Sequence, residues 1–152
     1  MAEDQSFTIR ELEVDDYKKG FLECLKEMTV VGDISKEKFV ETLEKRKGKG
    51  IITAVAVDAE SDKILGTGSI FYEPKFIRSC SWKGYIEDVS VASYAQKRGV
   101  GKALVVFLKK RASKDGCYKV VLTCSDTNRG FYEKLGFERI EDGMAIYLEN
   151  KQ

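Results

Sequence analysis

Histidine is absent from the 152 residues. A Ser-His or Cys-His nucleophile pair is therefore excluded, as is a His-containing zinc site. Any general base is a carboxylate, a tyrosine, the backbone or water. Proline occurs once, at Pro74, and no low-complexity linker or repeat interrupts the chain. One domain over residues 1–152 is expected, with enough chain to bury a core unaided. An excess of one charge is also lacking: 26 Lys plus Arg face 25 Asp plus Glu, a net charge of +1. That balance argues against a nucleic-acid partner, but not against a local basic pocket for one small anion. No apolar run approaches the ~20 residues that span a bilayer, so no membrane partner is expected. The start, Met1 to Ser6, is acidic and polar, unlike a secretory signal, and Asn150-Lys151-Gln152 is not a peroxisomal address. The four cysteines, Cys24, Cys80, Cys117 and Cys124, form no C-x-x-C pair. Cys24 and Cys117 sit in apolar patterns, which reads as buried free thiol in a reducing compartment. The expectation is an intracellular protein, cytosolic by default, with no metal.

What is present is an alternation of helix and strand signals. Residues 6–11 read as a strand, and Asp15 or Asp16 could cap a helix whose apolar face is Tyr17, Phe21, Leu25 and Met28. Ser35 could cap a second helix through Lys47, with Phe39, Val40 and Leu43 as its stripe. Strands are predicted at 51–58, 64–72 and 85–91, with a polar loop at 73–83. The longest helix is predicted at 99–114, with Val100, Leu104, Phe107, Leu108 and Arg111 on one side and Gly116 as its stop. A buried strand of parallel type follows at 118–124, a short helix at 128–135, and last strands at 137–140 and 144–148. This order predicts an α/β (α+β) architecture, a mixed sheet with packed helices.

The most informative stretch runs from Val89 to Leu104, Val-Ser-Val-Ala-Ser-Tyr-Ala-Gln-Lys-Arg-Gly-Val-Gly-Lys-Ala-Leu. A strand enters a Gly-containing loop that opens a helix. The first backbone N–H groups of a helix lack partners and carry the positive end of its dipole, which suits a pyrophosphate. Gly99 and Gly101 allow close approach to the backbone, and Lys97, Arg98 and Lys102 add charge. The stretch lacks the third glycine of the Rossmann fingerprint and the Gly-Lys-Ser/Thr ending of a P-loop. Alone, it is also compatible with a tight turn that holds no ligand.

Gln96-x-x-Gly99-x-Gly101 resembles the Gln/Arg-x-x-Gly-x-Gly/Ala signature of the GNAT superfamily, which cradles the pyrophosphate of acetyl-CoA. Downstream, Asn128-x-x-Phe131-Tyr132-x-x-x-Gly136-Phe137 resembles the segment that flanks the pantetheine arm and thioester. Four further segments are similar to the glucosamine-6-phosphate N-acetyltransferase family: Met28 to Gly32, Lys75-Phe76-Ile77-Arg78-Ser79-Cys80, Tyr85 to Val89, and Gly116 to Lys119. The resemblance implies a GNAT fold, mostly antiparallel with a parallel central pair and helices on both faces. It implies acetyl transfer from acetyl-CoA to the amine of glucosamine 6-phosphate, on the route to UDP-N-acetylglucosamine, by an intertwined homodimer.

By that resemblance Val89, Val91, Gln96, Lys97, Arg98, Gly99, Val100, Gly101, Lys102, Asn128, Phe131 and Tyr132 hold the cofactor. Thr29, Lys75, Phe76, Ile77, Arg78, Glu87, Asp88, Tyr118 and Lys119 hold the sugar phosphate. Family members commonly carry an arginine in the last strand that helps bind the phosphate; Met144 to Leu148 has none. The catalytic candidates are the Val89 N–H for the oxyanion, Tyr132 as acid at the CoA sulfur, and Glu87, Asp88 or a carbonyl near Ser125 as proton acceptor. Direct attack in a ternary complex is expected, without acetylated Cys124. Blander roles compete: packing for Tyr132, solvent exposure for one of Glu87 and Asp88, and ordinary loop charge for Lys75 and Arg78. Acetylation of another small amine and a silent acetyl-CoA-binding module remain the alternatives.

Overall fold

The computed structural model describes residues 6–148, which condense into two compact units, one reaching to Leu122 and one starting at Thr123. The first is built on a five-stranded sheet in the order β1 (Phe7–Glu11), β2 (Ile52–Asp58), β3 (Ile64–Pro74), β4 (Trp82–Val91), β5 (Cys117–Val121). The pairs are antiparallel except β4·β5, which is parallel. The parallel pair thus lies at the end of the described sheet rather than at its centre.

Helices cover both faces. On one, α4 (Val100–Lys114) buries Val100, Leu104, Val105, Leu108 and Ala112. Arg111, predicted on that face, instead turns out to Asp115 and Glu11. Small residues in β3 admit the helix: a Cβ on Gly66 would meet Ser90 O at 2.9 Å and Val100 Cγ1 at 3.0 Å. Truncating fully buried Leu104 to alanine is worth about 2–5 kcal/mol, because the close-packed interface cannot collapse onto the void.

On the other face lie α1 (Phe21–Lys26) and α2 (Lys36–Gly48). Ser35 caps α2 as predicted, its hydroxyl accepting from Lys38 N at 3.1 Å. The helix expected after Asp15 is instead split. A 3-10 turn, Val14–Lys19, ends at Gly20, whose φ of 90° breaks the helical path before α1 begins. Asp16 anchors that turn. Its fully buried carboxylate accepts two bonds from Arg10, at 2.7 and 2.8 Å, and one from Glu13 N.

Between β3 and β4 the chain makes a one-turn segment, α3 (Ile77–Cys80), with left-handed backbone at Arg78, Ser79 and Cys80. β3 and β4 therefore extend into the predicted loop. In the second unit α5 (Asp126–Glu133) ends in a turn at Gly136 (φ 90°). The strands predicted at 137–140 and 144–148 do not form. The apolar residues are there, but a strand needs a ladder partner and none is supplied among the described residues. Met144 and Tyr147 stand 98% and 95% exposed. The expected parallel strand at 118–124 also stops early, at Val121.

Candidate active site

β4 changes character along its length. From Trp82 to Tyr85 it pairs with β3 on one side and β5 on the other. The last β5 contact is Tyr85 with Val121; from Ile86 to Val91 only β3 pairs with it. In that second half the register slips. Ser69 stands opposite Glu87 and Thr67 opposite Ser90, so Gly68 faces both Asp88 and Val89, a β-bulge. Asp88 takes the left-handed φ of 53° that the bulge demands. Val89 thus sits where β4 has parted from β5.

The loop after β4 reaches α4 through Lys97 (φ 66°) and Gly99 (φ 78°), the N-cap. A side chain at Gly99 would meet open space, so its glycine serves the backbone angle and leaves the helix start uncovered. Gln96, Lys97 and Lys102 are exposed, Gly101 and Val91 partly so, and Val100 is buried, so only its backbone is on offer. Arg98 is already engaged: its guanidinium donates to Asp58 at 2.9 Å and Ser6 at 3.1 Å. The Ser61 N–H and hydroxyl, with Arg98, hold the Asp58 carboxyl far below the usual range.

The strand registers gather cations on the α1/α2 face. Lys83 stands opposite Glu73 on β3 and opposite Lys119 on β5. Two lysines directly across a ladder repel, a repulsion that an anion between them would relieve. Lys75 joins them; its ammonium contacts both Glu73 oxygens at 3.2 and 3.0 Å. Tyr85 donates to Glu73 at 2.9 Å, stacks on Phe71, and lies under Lys83. Glu73 thus ion-pairs with Lys75 and accepts from Tyr85. Lys83 escaped the sequence reading, because its only signal is the register that sets it beside Lys119. Arg78 lies over the Tyr118 ring at 5.3 Å and Lys119 near it at 5.8 Å. Phe76 and Ile77 are not gathered in; they stand 97% and 59% exposed.

Lys83, Tyr85 and Glu87 alternate onto one face of β4. Asp88 follows on a cavity of about 150 Å³ with Thr67, Ser69, Leu25 and Ile34. The bulge therefore breaks the alternation that would have sent the second carboxylate away. Burial, and then the Asp88 charge, push the Glu87 carboxyl above its ordinary value. Thr29 is exposed just past α1, its N–H donating to Leu25 O.

In the second unit Tyr132 is clasped edge-on by Phe131 and Phe137, with centroids at 4.9 and 5.9 Å. Burial, and then the Cys124 thiol, push its phenol upward, so it keeps its proton at neutral pH. Asn128 and Cys124 are exposed.

Comparison with known proteins settles the family. Residues 7–137 match the acetyltransferase (GNAT) family. The chain belongs to that family. Glucosamine 6-phosphate N-acetyltransferase 1 of Dictyostelium discoideum is 40% identical over 147 residues, covering 95% of this chain and 93% of the relative. The Arabidopsis thaliana glucosamine 6-phosphate N-acetyltransferase is likewise 40% identical, covering 95% and 99%. The Arabidopsis crystal structure superposes on this GNAT chain with a TM-score of 0.92 at 39% identity, over 95% of this chain and 100% of that one.

Proposed function

We propose that this GNAT chain transfers acetyl from acetyl-CoA to the amine of D-glucosamine 6-phosphate, giving N-acetyl-D-glucosamine 6-phosphate and CoA. That product feeds UDP-N-acetylglucosamine synthesis. The observation that carries the substrate is the lysine group Lys75, Lys83 and Lys119 on the face that continues through Tyr85 to Glu87. A phosphate meets the cations, and further along the same face of β4 the hydroxyls and amine meet carboxylates. Lys83 takes up part of the task of the absent C-terminal arginine. Full-length relatives at 40% identity that bear this enzyme's name support the same reading.

The chemistry needs proximity, a neutral amine, and donors for the oxyanion and the thiolate. The start of α4, from Gly99 through Gly101 and Lys102, binds the pyrophosphate with backbone N–H groups and dipole. Lys97 and Lys102 add charge, whereas Arg98 acts chiefly through the fold, clasped to Asp58. The pantetheine arm lies along β4 where β5 has left it. The amine nitrogen attacks the thioester carbon, and the Val89 N–H stabilises the oxyanion, an effect worth roughly 10²–10³ in rate for one such donor. Collapse expels the thiolate, and Tyr132 gives it a proton. Glu87 and Asp88 bind the sugar, and a carboxylate or a carbonyl near Ser125 accepts the amine proton through water. No acetyl-enzyme at Cys124 is needed.

The chain works as one acetyltransferase domain, a reading supported by a family match that runs from residue 7 to 137. The exposed apolar residues Ile140, Met144, Ile146, Tyr147 and Leu148 are the stretch a second copy covers in a homodimer. Four free thiols fit a reducing, intracellular setting. A polyamine acceptor is disfavoured by the lysine group.

The test is thiol release from acetyl-CoA with glucosamine 6-phosphate, glucosamine or spermidine as acceptor. Turnover with the sugar phosphate alone upholds the proposal. Turnover only with another amine overturns the sugar-phosphate pocket, and none with any acceptor favours the binding module.

A further inference from the structure

Among the described residues Arg46 is a cation that forms no ion pair. It stands on α2, points at the sheet, and donates from Nε and Nη2 to Thr53 Oγ1 at 3.2 and 3.0 Å and from Nη2 to Ser69 Oγ at 2.7 Å. Both hydroxyls belong to buried residues. Among the described residues no carboxylate lies within 4.0 Å of it. Burial pushes its pKa below the ordinary value, and Asp88 is the one charge that opposes this. A guanidinium held among hydroxyls and leucines is costly unless an anion answers it. Three features of the geometry point to Asp88. Arg46, Ser69 and Asp88 line the same cavity. Ser69, which Arg46 grips, is the β3 residue opposite Glu87, one step from the bulge. Asp88 itself is exposed and holds a left-handed backbone, so its carboxylate lacks the packing that would fix its direction.

We infer that Arg46 is a positioning residue: anchored by Thr53 and Ser69, it holds the Asp88 carboxylate inward across the cavity, toward the sugar. This rests on the reading that Asp88 binds the acceptor. The guanidinium attracts the carboxylate through space, and the two residues line one cavity in which a direct or water-bridged contact can form.

The test is steady-state kinetics on Arg46→Met, Asp88→Asn and the double variant, with KM measured separately for glucosamine 6-phosphate and acetyl-CoA. Arg46→Met is expected to raise the KM for the sugar phosphate about three- to tenfold, leave that for acetyl-CoA unchanged, and add nothing in the Asp88→Asn background. Arg46→Lys, which keeps charge and loses the fork, should recover part of the loss. An additive effect in the double variant overturns the inference and makes Arg46 a direct substrate contact. An equal loss for both substrates, or a fall in melting temperature alone, makes it structural. If Arg46→Met does not fold, Thr53→Val with Ser69→Ala loosens the anchor and must reproduce the same KM pattern. Should Asp88→Asn leave the sugar-phosphate KM unchanged, the acceptor reading fails instead.

Discussion

The two halves of β4 share one strand and differ in everything that matters for chemistry. Trp82 to Tyr85 is laddered on both sides; its register with β3 is regular, and on the β5 side it slips by one residue between Trp82, opposite Cys117, and Lys83, opposite Lys119. Ile86 to Val91 has lost β5, carries a bulge, and holds Asp88 in a conformation that strands avoid. The first half holds Lys83 in a fixed register that builds a cation group. The second half releases backbone N–H groups and turns two adjacent carboxylates toward one side. A regular strand positions charge; an interrupted one exposes the main chain. The proposed transferase needs both within a few residues.

The largest effect follows from removing the interruption. Deleting Asp88 leaves Val89 alone opposite Gly68, between the pairs Thr67 with Ser90 and Ser69 with Glu87, so the ladder becomes regular and every flanking side chain keeps its face. The variant is expected to fold, with a melting temperature at or above the parent's, because a left-handed non-glycine residue is gone. Its kcat should fall about 10²–10³-fold, since the Asp88 carboxylate is lost and the main chain around Val89 is re-aimed with the bulge. Retained activity in the deletion would show that the bulge serves packing only.

Gly99→Val tests the end of the same segment. Valine is strained at a φ of 78° by about 1–3 kcal/mol, and its branches cover the helix start. Calorimetry should show acetyl-CoA affinity reduced roughly tenfold or more, with the sugar-phosphate KM little changed. Unchanged affinity would move the pyrophosphate away from α4. Lys83→Glu probes the regular half. Reversing one charge beside Lys119 should raise the KM for glucosamine 6-phosphate about tenfold. Unphosphorylated glucosamine, if turned over at all, should be indifferent, and equal effects on both sugars would assign Lys83 a structural role.

Local chemistry accounts for what could be read from sequence. The Gly99-x-Gly101 turn, the Ser35 cap and the β-rich middle are written in neighbouring residues, and they appear as predicted. Lys83 was not legible because its partner lies 36 positions away on β5, and only register joins them. The bulge was hidden for the same reason: nothing in Glu87-Asp88-Val89 says that Gly68 will face two residues. Distant partners were equally hidden: Asp58 engages Arg98, expected as charge beside the helix start, and Arg111, predicted on the apolar side of its helix, turns to Asp115 and Glu11. The missing strands at 137–140 and 144–148 show that apolar pattern specifies a face to be covered, not what covers it.

The smallest effect is the sharpest test of the bulge's electrostatics. The Glu87 carboxyl is raised first by burial and then by the charge of Asp88. A carboxylate that must be ionised to bind or accept a proton fails as pH falls through its pKa, so the acid limb of kcat/KM should lie above the ordinary glutamate range. Asp88→Asn keeps the backbone and removes the neighbouring charge, which lowers the Glu87 pKa and must move that limb to lower pH. Glu87→Gln should abolish the limb. The substrate's own ionisations are identical in all three profiles and cancel in the comparison. A limb that stays in place in Asp88→Asn would mean that the two side chains do not share a side, and the regular alternation of the first half of β4 would extend unbroken into the second.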